Sequence, residues 1–145
     1  MKKLLSIALL FIVLSGCKDN EPETDTSLIG SWTVTSQTID YFNSSNVKIH
    51  TEPSGELKSA TFDVNNNAVI TSTDNSIENS GYSVASFDGK KYLLFENQNI
   101  TDLDLELTFP TSSTMIWYAK ETNVSYGSGS DVGAYAEYKV TFTKK

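Results

Sequence analysis

The chain has 145 residues, a formal net charge of −7 and no arginine. That length suggests one domain, large enough to bury a core without disulfides. A negative surface without arginine repels phosphate backbones and lacks the usual bidentate phosphate-binding side chain, which excludes nucleic acid as a partner. Cys17 is the sole cysteine, so an internal disulfide and a CxxC or zinc cluster are also excluded. Thr, Ser and Asn are abundant beside seven Tyr, seven Phe and two Trp, a mixture that favours strands and polar turns over helices.

Met1-Lys2-Lys3 is a short basic segment, and Leu4 to Leu14 is an apolar run broken only by Ser6. The run is too short to span a hydrocarbon core of ~30 Å, but it fits the hydrophobic region of a signal peptide over residues 1–16. It ends in Leu14-Ser15-Gly16-Cys17, which resembles the lipobox of bacterial lipoproteins. The resemblance implies that Cys17 becomes the lipid-bearing first residue, with a thioether to diacylglycerol and a further acyl chain on the new amino terminus. More than one chain makes such an anchor stable. Loss of Lys2 and Lys3 would leave nine Lys against 18 acids, a charge near −9.

Lys18 to Ser27 contains no apolar residue. Residues 17–27 are therefore expected to form a lipid-anchored flexible tether, and ten extended residues reach at most ~35 Å. Lys18, Asp19 and Glu21 resemble the export signal of Bacteroidetes-type surface lipoproteins, with Asn20 interrupting the acidic run. This implies an outer-membrane protein displayed at the cell surface; a plain linker at the periplasmic face is the alternative.

From Leu28 onward, alternation of apolar and polar residues recurs between turn residues, which predicts strands. The expected strands are Ser31–Asp40, Leu57–Val64, Ala68–Thr73, one ending in Tyr82–Phe87, Lys90–Phe95, Ile100–Phe109, Thr114–Lys120 and Ala134–Thr143. Asn65-Asn66-Asn67, Asp74-Asn75-Ser76 and Pro110-Thr111-Ser112-Ser113 read as turns, and Asp88-Gly89 as a type I′ hairpin. Short turns make neighbours antiparallel, so residues 28–145 predict an all-β, eight-stranded antiparallel up-and-down barrel, with a sandwich as the alternative. Two long loops, Tyr41–Glu56 and Asn123–Gly133, follow odd-numbered strands and so share one end. They are candidates for binding or for simple surface insertion.

Leu28-Ile29-Gly30-Ser31-Trp32 opens this part of the chain. The Gly-x-Trp of Gly30 and Trp32, followed by the strand pattern, resembles lipocalin-like lipoproteins of Bacteroidetes. The resemblance implies that Trp32 plugs the closed end of the barrel and that the open end holds a small hydrophobic ligand. It also implies a basic residue from a late strand over the Trp, for which Lys139 or Lys120 is available. Tyr41, Phe42, Tyr126 and Tyr135 are the candidate contacts near the mouth. Many lipocalins carry disulfides, and this chain has no second cysteine for one. A core filled by its own aromatic residues is the alternative to a cavity. The barrel would then contact an envelope protein or a glycan through its long loops.

No catalytic constellation is marked. His50 is the single histidine and reads as an exposed loop residue without a nucleophile beside it. Asp102, Asp104 and Glu106 would project from one strand face, more simply as the wet side of a barrel wall than as a Ca²⁺ site. Gly127-Ser128-Gly129 lacks the Lys and helix of a phosphate loop. The expectation is a non-enzymatic protein that needs no metal or cofactor and touches the membrane through its lipid.

Overall fold

A computed structural model describes residues 25–101, 103–127 and 131–145. Cys17, the signal peptide and the Lys18-Asp19-Glu21 segment lie outside the described residues. Nine strands follow in order: β1 Gly30–Phe42, β2 Lys48–Pro53, β3 Leu57–Phe62, β4 Asn67–Ser72, β5 Ile77–Phe87, β6 Lys90–Phe95, β7 Leu105–Thr111, β8 Thr114–Tyr126 and β9 Asp131–Lys144. They form one antiparallel sheet in the order β2-β1-β3-β4-β5-β6-β7-β8-β9, and β1 also pairs with β9. The chain is thus an all-β, eight-stranded, closed up-and-down barrel with one additional strand, β2.

Short hairpins set this order. Asn66, Asn75 and Asp88 take positive φ values of 60°, 69° and 50°, and Gly89 takes 75°. Asn and Asp tolerate that region, and positive φ at both Asp88 and Gly89 is what a type I′ turn requires. Asp63 fixes the first of these hairpins, accepting the backbone N–H groups of Asn65 and Asn67 at 2.8 and 2.9 Å.

Strand β1 outruns the barrel. Gly30 to Thr33 pair with β3, and Thr38 to Phe42 pair with β2 along the same edge. Its other edge pairs with β9 throughout, from Trp32↔Lys144 to Phe42↔Tyr135, with a bulge between Val34 and Ser36. The extra residue, Thr35, changes the side-chain alternation. Trp32 and Val34 point inward before it, and Gln37, Ile39 and Tyr41 do so after it. Beyond Tyr118, β8 pairs with β9 and no longer with β7. Strands β2, β1, β9 and β8 therefore continue past the barrel wall as a four-stranded flap.

The core is aromatic. Trp117 packs on Phe142 with ring centroids 4.5 Å apart, and on Phe95 at 5.8 Å. Phe62 meets Tyr82 edge-on at 5.0 Å. At the end where β1 begins, Trp32 is fully buried against Phe109, and its Nε1 donates to the Leu28 carbonyl at 2.8 Å. Leu28 is buried too. The chain just before it forms a turn, with the Asp25 carboxylate 2.6 Å from Lys91 Nζ. Asp25 to Ser27, which fall in the segment expected as tether, are thus held near β6.

Several expectations are corrected. Tyr41–Glu56 is not a loop, because residues 48–53 form β2. Their polar composition hides a strand held by backbone pairing to β1. Asn123–Gly133 is largely strand as well, since β8 reaches Tyr126 and β9 starts at Asp131. The strand expected from Ile100 begins only at Leu105. Ile100 and Leu103 instead pack on the core from the preceding turn. Asp104 therefore precedes the strand, Glu106 pairs with Lys90 at 2.7 Å, and Asp102 lies outside the described residues. Among the described residues, only Glu106 of the three expected carboxylates lies on this strand. Pro110 sits inside β7, at an irregularity between Thr108 and Thr111 that spares the missing N–H. The cation over Trp32 is Lys144, with Nζ 5.0 Å from the ring centroid, rather than Lys139 or Lys120.

Gly30 has φ +128°, and a Cβ there would sit 2.9 Å from Lys144 Cε. Gly30→Ala is expected to cost about 1–3 kcal/mol of stability through this strained backbone. Gly55, where an added Cβ would meet nothing within 4 Å, is the control. Gly55→Ala should stay within about 0.5 kcal/mol. Urea unfolding midpoints of the two variants check this difference.

Candidate functional site: the barrel mouth and its flap

Further along the inner face from Trp32, the barrel contains a cavity of about 160 Å³. Leu103, Leu105, Val140, Ala119 and Trp117 give it apolar walls, and Ser54, Glu56 and Thr101 lie at its polar rim. Three structural facts leave this space open. The loop before β7 replaces a strand, β2 and β3 separate at residues 54–56, and Ala119 is a small residue between larger neighbours. Gln37 covers the gap between β2 and β3. Its Nε2 donates to the Leu57 carbonyl at 2.6 Å, and its Oε1 accepts the Leu57 N–H at 3.2 Å. The side chain thus supplies the ladder bonds that the strand break removes.

Tyr138 and Trp117, which both line this space, differ in how their polar groups are satisfied. The Tyr138 hydroxyl donates to Glu121 Oε2 at 3.0 Å. Burial, followed by that carboxylate, pushes the Tyr138 pKa up to about 12. Trp117 is 3% exposed, and its Nε1 is buried with no hydrogen-bond partner among the described residues. An unpaired buried donor costs about 1–3 kcal/mol.

Above the cavity, the flap carries a connected aromatic and polar cluster. His50 stands directly across from Tyr41 in the β1–β2 register. The His50 ring stacks on Tyr126 with centroids 5.0 Å apart, and Tyr126 lies 5.0 Å from Tyr41. The Glu52 carboxylate ties these parts together. It accepts the Gly127 N–H at 2.8 Å and the Tyr41 hydroxyl at 3.2 Å, and His50 Nε2 lies 3.2 Å from its Oε1. Strand β2 is thereby clasped to the end of β8, and the open edges of the flap curl toward each other. The Gly127 amide, with Tyr41 and His50, holds the Glu52 carboxyl below the usual carboxylate range. Burial, followed by Glu52, pushes the Tyr41 hydroxyl up.

The expected mouth residues fall into two groups. Tyr41 and Tyr126 meet in the inner cluster. Phe42 and Tyr135 stack on each other with centroids 4.8 Å apart, and Lys120 Nζ lies 3.5 Å over the Tyr135 ring. Alternation along β1 puts Phe42 on the face opposite Tyr41, so this second stack faces away from the cavity. Gly30 and Trp32 belong to the other end of the barrel. His50 is not a loop residue but a half-exposed member of β2. Sequence reasoning missed Glu52, although His50 and Glu52 at a spacing of two share a face once β2 is recognised. A larger hollow of about 340 Å³ borders Asn67 and Gly81, but Ser80 beside it is already bonded to the Asn97 N–H at 2.9 Å.

A carboxylate whose pKa is depressed by folding stabilises above its unfolded pKa and loses that effect as pH falls through the folded value. The clasp should therefore be intact at neutral pH and loosen as Glu52 protonates, below the usual carboxylate range. The protection factor of the Gly127 amide, its exchange rate relative to the intrinsic rate at the same pH, is expected to fall in acid. Glu52→Gln should show faster exchange already at neutral pH, with barrel amides unchanged.

No protein-family model matches this chain, and no curated protein matches its sequence.

Proposed function

We propose that this protein is a lipid-anchored outer-membrane lipoprotein whose lipocalin-like barrel binds a small hydrophobic ligand at its open end. The observation that carries the binding half is the apolar-walled cavity of about 160 Å³ under the flap. By volume this space suits a molecule of about one ring. It is too small for a long acyl chain lying wholly inside. The anchoring half rests on Leu14-Ser15-Gly16-Cys17 after its apolar run. Lys18, Asp19 and Glu21 support display at the cell surface over retention at the periplasmic face. Nothing in the cluster of Tyr41, His50 and Glu52 supplies an activated nucleophile, and the reading is non-enzymatic, without a cofactor.

A second reading has its own support. Val47 and Val132, 55% and 61% exposed, stand at the flap end together with Ile49. Apolar residues there favour contact with an envelope protein or glycan. Native mass spectrometry of protein purified from its own host separates the readings: ligand binding predicts a co-purified small molecule, and the contact reading predicts none.

Ala119 lines the cavity and is 2% exposed. Ala119→Phe is expected to fill the space and weaken binding of one-ring apolar molecules at least about tenfold, or about 1.4 kcal/mol. Calorimetry checks this, with circular dichroism reporting that the barrel persists. Unchanged affinity would place the binding site elsewhere than in this cavity.

A further inference from the structure

The two ends of the barrel differ in what they expose. Consecutive hairpins of an up-and-down barrel alternate between its ends. The β3–β4, β5–β6 and β7–β8 turns therefore lie at the closed end, with the start of β1 and the end of β9. Backbone bonds from Lys144 to Ser113 and from Lys145 to Ser31 hold these segments together. Two of the turns carry the most exposed large apolar side chains of the described residues. Phe87, 74% exposed, flanks the Asp88-Gly89 turn opposite Lys90, and Val64, 68% exposed, stands in the turn after β3. Neither belongs to the core, and an Asp-Gly turn needs no aromatic residue beside it.

Charge separates the ends in the same way. At the closed end, Lys90, Lys91, Lys144 and Lys145 balance Asp25, Asp63 and Asp88. The flap carries Asp40, Glu52, Glu121, Asp131 and Glu137 against Lys48 and Lys120. An anionic lipid surface repels the flap and accepts the closed end, where Lys90 and Lys91 stay half-exposed despite their carboxylate partners.

The chain before the barrel leaves from this same end. Asp25 is held 2.6 Å from Lys91 Nζ, next to the β5–β6 turn. Cys17 lies eight residues before Asp25, so a lipid on Cys17 stands at most ~28 Å from it. Strands of 13 and 14 residues, rising ~3.3 Å per residue and tilted by about 40°, make the flap side roughly 33 Å tall. The tether is too short to run back along the barrel and set the mouth on the bilayer.

Resting on the reading of Cys17 as the lipid-bearing residue, we propose that the closed end of the barrel docks on the phospholipid surface that takes the anchor. Phe87 enters the boundary between headgroups and acyl chains, where aromatic rings are favoured, and Val64 lies against the headgroups. Lys90, Lys91 and Lys145 face the phosphates. The mouth and the flap then point away from the membrane, open to a ligand or partner.

Trp32 and Trp117 are buried, so a tryptophan placed on the surface reports against a steady background. The full-length protein is made in a host that processes lipoproteins, and mass spectrometry verifies the acyl groups on Cys17. It is then reconstituted in vesicles of phosphatidylethanolamine and phosphatidylglycerol with bromines near the top of the acyl chains. The added fluorescence of Phe87→Trp is expected to fall at least about twofold against unbrominated vesicles, because a docked ring sinks about 5–10 Å into the boundary. Val132→Trp, at the flap end, should keep its fluorescence. Should Phe87→Trp fail to fold, Val64→Trp gives the reading from the other hairpin. Acylated, vesicle-bound protein in which the closed-end tryptophan is not quenched, or in which Val132→Trp is quenched as strongly, would overturn the docking and leave the anchor standing. A processed chain without acyl groups on Cys17 would overturn both.

Discussion

The pairing of β1 with β9 is the constraint on which the rest of the molecule depends. It joins the first strand to the last and removes two open edges at once. It also carries a fault, the bulge at Thr35, which lets one strand serve two regions with opposite alternation. Before the bulge, Trp32 and Val34 fill the closed end. After it, Gln37 and Tyr41 face the mouth. Without the extra residue, either Trp32 or Tyr41 would be turned out to solvent, since a shift of one residue reverses every side chain.

Unequal strand lengths then create the mouth. Strands β1, β8 and β9 have 13, 13 and 14 residues, against six in β3, β4 and β6. The long strands continue where the short ones stop, so one side of the barrel rises as a flap over the space the other side leaves. A polar flap of this kind has little hydrophobic burial to hold it. Its order comes instead from backbone pairing and from one carboxylate, Glu52, which collects three partners from β1, β2 and the end of β8. Burial governs the barrel below, and hydrogen bonding governs the flap above. These two parts are expected to respond differently to acid.

Most of the barrel was legible in the sequence because its strands obey a period of two. Met115, Trp117 and Ala119 mark β8, and Tyr138, Val140 and Phe142 mark β9. The hairpins were legible because Asn66, Asn75 and Asp88-Gly89 are residue types that accept positive φ. Strand β2 was hidden because Lys48 to Pro53 alternate in nothing that hydropathy measures. The start of β7 was misplaced because Leu103 continues an apolar alternation while belonging to a turn that plugs the barrel. Lys144 could not be assigned to Trp32 from the sequence, because that contact depends on where β9 ends against β1. Of the site, Tyr41 and Tyr126 were anticipated as mouth residues. Phe42 and Tyr135 fell on the other face, and the unpaired indole of Trp117 exists only in three dimensions.

A largely apolar-walled space in the barrel, bounded by Trp117 and overhung by the flap, is the feature on which the proposed binding function rests. Crystals of the protein pressurised with xenon test that directly, because xenon enters dry apolar cavities and needs no hydrogen bond. The expected result is a single strong xenon site among Leu103, Leu105, Trp117 and Val140. A barrel whose side chains fill that space, or a chain of ordered waters reaching Trp117 with no xenon bound, would contradict it.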